Sequence, residues 1–177
     1  MPTFSLGSKT VATQAGAAQP VLASNVNLGS ATFPAGHIIQ VAQGFSQSSI
    51  ATQSTSFVAS ALTTGLSSLA STSSKVLVQM IGGLGDVNTG SVTVAYQLHE
   101  SIAGGSYSLV ANAKNDTHIL DATNRFPYAM SYLFTPNGGA GTTSSIDVKI
   151  YFKTSANQGF LNYGGNLISL TIMEISQ

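Results

Sequence analysis

The side chains best equipped for proton transfer or metal binding in this chain are three histidines, His37, His99 and His118, and six carboxylates, Asp86, Glu100, Asp116, Asp121, Asp147 and Glu174. A hydrolytic triad needs a nucleophile, a histidine base and a carboxylate to orient it. His99 stands beside Glu100, but neighbours in a strand point to opposite faces and cannot cooperate. His118 and Asp116 are two apart and can share a face at the Asn115-Asp116-Thr117 turn, a spacing that reads first as a turn-stabilising hydrogen bond. Three or four converging His, Asp or Glu residues would be required for a metal centre, and no spacing brings such a set together. Glycoside cleavage would draw its two carboxylates from the same six residues. Asp147 lies on the polar face of its segment. Glu174 shares a face with Leu170, Ile172 and Ser176, so if that face is core it must sit at the edge or find a structural partner. No catalytic residue, cofactor or metal ligand is expected.

Two glycine-rich runs, Ile81-Gly82-Gly83-Leu84-Gly85 and Asn137-Gly138-Gly139-Ala140-Gly141, lack the Gly-Lys-Ser/Thr ending and following helix of a phosphate loop. They read as loop tips. Of six tyrosines, Tyr151 is the clearest outward candidate for contact with a sugar, because it shares a face with Asp147, Lys149 and Lys153. The others read as sheet-packing aromatics.

These residues must be positioned by strands. Ile146, Val148, Ile150 and Phe152 alternate with Asp147, Lys149 and Lys153, the period of a half-buried antiparallel strand. The same grammar predicts strands at 38–45, 54–59, 75–81, 91–100, 106–113, 117–121, 128–135, 145–153, 159–163 and 169–175. Turn chemistry separates them at Gly82-Gly83, Asn88-Thr89-Gly90, Gly104-Gly105, Asn115-Asp116, Pro136-Asn137-Gly138-Gly139 and Gly164-Gly165. In 57–69 the apolar residues approach helical spacing, but the Ser/Thr density and Gly65 favour extended structure with a turn near Leu69-Ala70-Ser71. Short strands at this spacing predict an all-β, antiparallel, jelly-roll-like sandwich over 36–177.

Residues 1–35 are rich in Ala, Ser, Gly, Gln and Asn, with apolar side chains scattered at Phe4, Leu6, Val11, Val21 and Leu22. Such a segment buries little on its own. It reads either as an attachment arm that orders against a neighbour or as a pair of short edge strands.

Only six Lys plus Arg and six Asp plus Glu are present, 7% charged residues in all, against about 25% in a typical soluble domain. A net charge of zero removes the basic footprint that nucleic-acid binding needs, and it favours association because little self-repulsion keeps copies apart. With no cysteine, stability has to come from packing and subunit burial. Neither a signal peptide nor a membrane span is expected.

Three stretches, taken in order, resemble the β domain of tail-fibre and adhesin proteins of tailed bacteriophages, particularly phages of marine and cyanobacterial hosts. They are Phe33-Pro34-Ala35-Gly36-His37-Ile38-Ile39-Gln40-Val41; Ser54-Thr55-Ser56-Phe57-Val58 continuing to Ser71-Thr72-Ser73-Ser74-Lys75-Val76-Leu77-Val78; and Thr142-Thr143-Ser144-Ser145 with Tyr151-Phe152-Lys153 and the terminal Ser169-Leu170-Thr171-Ile172-Met173-Glu174-Ile175. The resemblance implies a virion structural protein, made in the host cytoplasm and displayed on the phage particle as a homotrimer. Its partners would be itself, other virion proteins and a host-surface glycan or protein, with Tyr151, Asn137 and Thr142 as contact residues. The chain is short for a fibre and has no repeating shaft, so a capsid decoration (cement) role is the alternative, and a polysaccharide-degrading enzyme a distant third.

Overall fold

A computed structural model describes residues 35–87, 91–110 and 125–177, together with the strands at 3–6, 9–13, 21–22 and 116–121. The chain divides into two units, 1–32 and 33–177. In the first, β1 (Thr3–Leu6), β2 (Lys9–Thr13) and β3 (Val21–Leu22) pair antiparallel in that order. These three strands form a sheet of their own. The candidate residues Phe4 and Leu6 lie in β1, Val11 in β2, and Val21 and Leu22 in β3; their side chains lie outside the described residues.

The second unit is built on the period-two alternation. β12 (Ile146–Thr154) buries every other residue from Ile146 to Thr154, and β14 (Ile168–Ile175) does the same from Ile168. The other strands are β4 (Ile38–Ser46), β5 (Ile50–Thr52), β6 (Val58–Leu66), β7 (Lys75–Val87), β8 (Ser91–Ile102), β9 (Ser108–Leu109), β10 (Asp116–Asp121), β11 (Phe126–Phe134) and β13 (Gly159–Asn162). One sheet pairs β4-β14-β7-β11 and the other β6-β12-β8-β10, with β9 on β8 and the short β13 and β5 continuing from the far end of β7. If the eight long strands are numbered in chain order, the sheets read 1-8-3-6 and 2-7-4-5. That is the double Greek key of a jelly roll.

The segment around 57–69 is extended, as its Ser, Thr and Gly content favours, although its strand is Val58–Leu66 rather than 54–59. Three expectations fail. Of the strand expected at 106–113, only Ser108–Leu109 pairs among the described residues. The three-residue β5 was missed because so short a strand carries no alternation. Gly82-Gly83 is no turn: β7 runs straight through it, pairing with β14 up to Gly82 and with β13 from Asp86. The two glycines take φ of +93° and +68°, and the register with β11 shifts between Phe126 and Tyr128. This is how a glycine bulge bends a long strand without ending it.

Between the sheets lie Leu62, Leu66, Ile146, Val148, Ile150, Phe152 and Leu98 from one side and Val76, Val78, Met80, Ile168, Leu170 and Ile172 from the other. Tyr96 and Tyr128 meet edge to face with centroids 5.5 Å apart, the arrangement favoured by ring quadrupoles. Their hydroxyls donate to the carbonyls of Ala129 and Phe160. At one edge the sheets close on each other: a Cβ added to Gly44 would lie 2.1 Å from the Thr63 carbonyl oxygen. Only glycine lets β4 approach β6 so nearly.

Candidate functional site

Opposite phases of β8 separate His99 from Glu100, as the alternation requires. Glu100 turns inward, almost fully buried, and accepts the backbone N–H groups of Asn137 and Gly138 at 3.2 and 3.3 Å. It thereby fixes a 3-10 turn at Asn137–Gly139, where Asn137 itself holds a positive φ of 58°. The Asn137 amide donates to the Gly141 carbonyl, and Thr142 Oγ1 accepts the N–H of Ser144. The turn borders a 270 Å³ cleft shared with Lys75, Tyr132, Leu133, Phe134 and Thr135.

His99 turns outward and its ring stacks on Tyr151, centroids 3.9 Å apart and planes within 20°. The contact is diagonal, because His99 is paired with Lys149 and Tyr151 with Gln97. Nε2 of His99 lies 3.1 Å from Gln97 Oε1, while Nδ1 is buried without a partner. Burial lowers the His99 pKa from its ordinary 6.5, so the ring is neutral at neutral pH. Tyr107 lies beyond Tyr151, centroids 6.3 Å apart. Lys149 Nζ sits 4.6 Å from the Tyr107 ring, and Lys153 Nζ 4.8 Å from that of Phe57, both within cation–π range. The β6-β12-β8 face thus carries an aromatic and cationic cluster whose rings are already engaged with one another.

Tyr151 lies five residues along β12 from Ile146, about 17 Å, so it belongs to a sheet face while Asn137 and Thr142 belong to an end loop. The three sequence-predicted contact residues do not converge. Lys149 shares the Tyr151 face by alternation along β12, whereas Tyr107 and His99 were missed as companions of Tyr151; only the tertiary structure brings them to it. The side chains of Asp116, His118 and Asp121 lie outside the described residues. Among the described residues, no three His, Asp or Glu gather as metal ligands, and no helix is long and apolar enough to cross a membrane.

Two further carboxylates tie segments together. Glu174 is fully buried on β14, and takes Gln40 Nε2 at 2.6 Å, the Ala70 N–H at 2.7 Å and Ser74 Oγ at 2.6 Å. Gln40 Nε2 also donates to the Ser68 carbonyl. Asp86 accepts Arg125 Nε at 3.0 Å, and the Arg125 guanidinium lies 4.5 Å from the Tyr163 ring. Glu100, Asp86 and Glu174 are therefore occupied in holding loops and strand ends.

The outer face of β4-β14-β7-β11 is of another kind. Register places Val41, Met173, Leu77 and Leu133 in one row across the four strands. Gln43, Thr171, Gln79 and Ser131 form the next, and Phe45, Ser169, Ile81 and Ala129 the third. Val41 is 56%, Leu133 52%, Ile81 59% and Phe45 69% exposed. None of these twelve residues is charged.

No protein-family model matches the chain, nor does any curated protein. Four chains of solved structures are similar. One belongs to the T13 IBDV viral particle; it is 8% identical, with a TM-score of 0.43, over 77% of this chain and 37% of its own length. The present chain thus spans little more than a third of that neighbour.

Proposed function

We propose that this chain is a non-enzymatic structural protein of a bacteriophage particle, a fibre- or adhesin-type jelly roll that works as a homotrimer and is attached through its first 35 residues. One observation carries the reading. The three stretches that resemble phage fibre and adhesin domains are joined at a single carboxylate: Gln40 from the first, Ser74 from the second and Glu174 from the third. The resemblance therefore follows one packing unit instead of scattered similar residues. The exposed apolar side chains Val41, Phe45, Ile81 and Leu133 on the outer face of β4-β14-β7-β11 support a subunit that lives in an assembly, because large apolar patches are rare on free monomers. Fold alone would not justify the reading, since jelly rolls serve capsids, lectins and enzymes alike.

The cement role is compatible with a different feature. The loop at 137–142, the expected host contact, is pinned by Glu100, and the Tyr151 ring is stacked under His99; both suit a rigid building block as well as a receptor surface. Labelling intact particles with an antibody fragment against this chain, followed by imaging, separates the roles. Label at the tail or neck is expected for the fibre role, and label spread over the head would establish decoration. Unlabelled particles, or polysaccharide cleavage by the purified protein, would overturn the virion reading.

A further inference from the structure

The outer face of β6-β12-β8 carries its charge on β12, beside a strand of small residues. Asp147, Lys149 and Tyr151 of β12 stand against Gly65, Thr63 and Ala59 of β6. Ala59, Ala61 and Thr63 are exposed, so β6 forms a low shelf next to the taller side chains of β12. Tyr107 closes one end: its hydroxyl lies 3.5 Å from Thr63 Oγ1, and the Lys149 ammonium sits 4.6 Å from its ring. Phe57, just before β6, stands at the other end, with the Lys153 ammonium 4.8 Å from its ring. Among the described residues neither ammonium meets a carboxylate. Asp86, Glu100 and Glu174 are buried, and Asp147 lies beyond Lys149, its carboxylate against Gly65. From this arrangement we infer that the shelf binds an acidic oligosaccharide. Its carboxylate or sulfate groups meet Lys149 and Lys153, and its sugar rings lie along β6 beside Tyr151.

Each lysine is held by a ring instead of an acid. A surface lysine loses much rotamer freedom when it is fixed on binding. Here the cation–π contact already restrains the stem, while the ammonium keeps N–H donors for an anion. Preorganisation of this kind lowers the cost of binding at a shallow site. The two lysines are four residues apart on one strand, about 13 Å, a span that suits an oligosaccharide better than one small anion. The shelf offers no large apolar side chain to anchor a protein. Two lysines with Asp147 nearby supply too little positive charge for a nucleic acid. The site rests on the fibre reading for its biological source, a surface that presents such a sugar.

Titration calorimetry of the full-length protein with oligogalacturonate, with a heparin oligosaccharide and with a neutral dextran oligosaccharide tests the site. Binding of at least one acidic probe, weakened by added salt, is expected, with none of dextran. The tighter acidic probe distinguishes carboxylate from sulfate. Lys149→Gln combined with Lys153→Gln should weaken that binding about tenfold, with the fold checked by circular dichroism. Lys75→Gln, on the other sheet, should leave it unchanged. Failure of both acidic probes to bind, equal binding of dextran, or the same loss from Lys75→Gln would each overturn the site. So would a single-stranded oligonucleotide that binds as tightly. Particle labelling judges the virion reading separately: tail label without binding of either acidic probe refutes the shelf alone, whereas binding by a protein absent from particles refutes the virion reading alone.

Discussion

Ser74 Oγ donates to Glu174 Oε1 at 2.6 Å across one hundred residues of sequence. The bond fastens the turn before β7 to the last strand of the chain. The Ala70 N–H reaches the same oxygen and Gln40 the other, so a fully buried carboxylate is held by three neutral donors. Hydrogen bonds to an ionised acceptor are the strong ones, and any donor left unmade here would be costly.

Glu174→Gln is expected to destabilise the domain by about 1–3 kcal/mol. The new amide would point an N–H at one of the three donors. Turning Gln40 to compensate would aim its oxygen at the Ser68 carbonyl. Urea unfolding measures the change, and a midpoint equal to wild type would show that the clasp contributes nothing.

Ile150 is fully buried between the sheets. Ile150→Asp should prevent folding, because the carboxylate would have no partner. Soluble protein with native circular dichroism would refute the face assignment of β12.

Gly44→Ala should cost about 1–3 kcal/mol by overpacking, since backbone and not a flexible side chain stands in the way of the new Cβ. The loss would appear in the thermal midpoint. An unchanged midpoint would mean that β4 and β6 can separate at this edge without penalty.

Burial keeps the His99 pKa below its ordinary 6.5. Protonation therefore favours the unfolded chain: the contribution is complete above pH 6.5 and is lost as pH falls through the lower folded value. An imidazole NMR titration should place the midpoint below 6.5. His99→Phe, which keeps a ring against Tyr151, should remove this part of the acid-side loss.

Deleting residues 1–32 should leave a folded jelly roll that no longer joins particles, since 33–177 form a unit of their own. An unfolded product would show that the first unit is needed for folding. Substituting the exposed Asn137 should alter adsorption in the fibre role and leave it unchanged in the cement role.

The sequence by itself determined the strand phases. Ile146 to Phe152 and Ile168 to Ile172 fall inward because side chains in a strand alternate with period two, and the same rule sent His99 and Glu100 to opposite faces. It also set the need of Glu174 for a partner, since an acid in phase with Leu170 and Ile172 must be satisfied when buried. Which strands become neighbours was decided only by the tertiary structure. Pairing β14 between β4 and β7 joins residues more than eighty positions apart, and no local pattern encodes that register. The Glu174 clasp, the His99–Tyr151 stack and the uncharged rows from Val41 to Leu133 all depend on it. So does the fate of Gly82-Gly83: a glycine pair allows a turn or a bulge equally, and the partners on either side of β7 select the bulge.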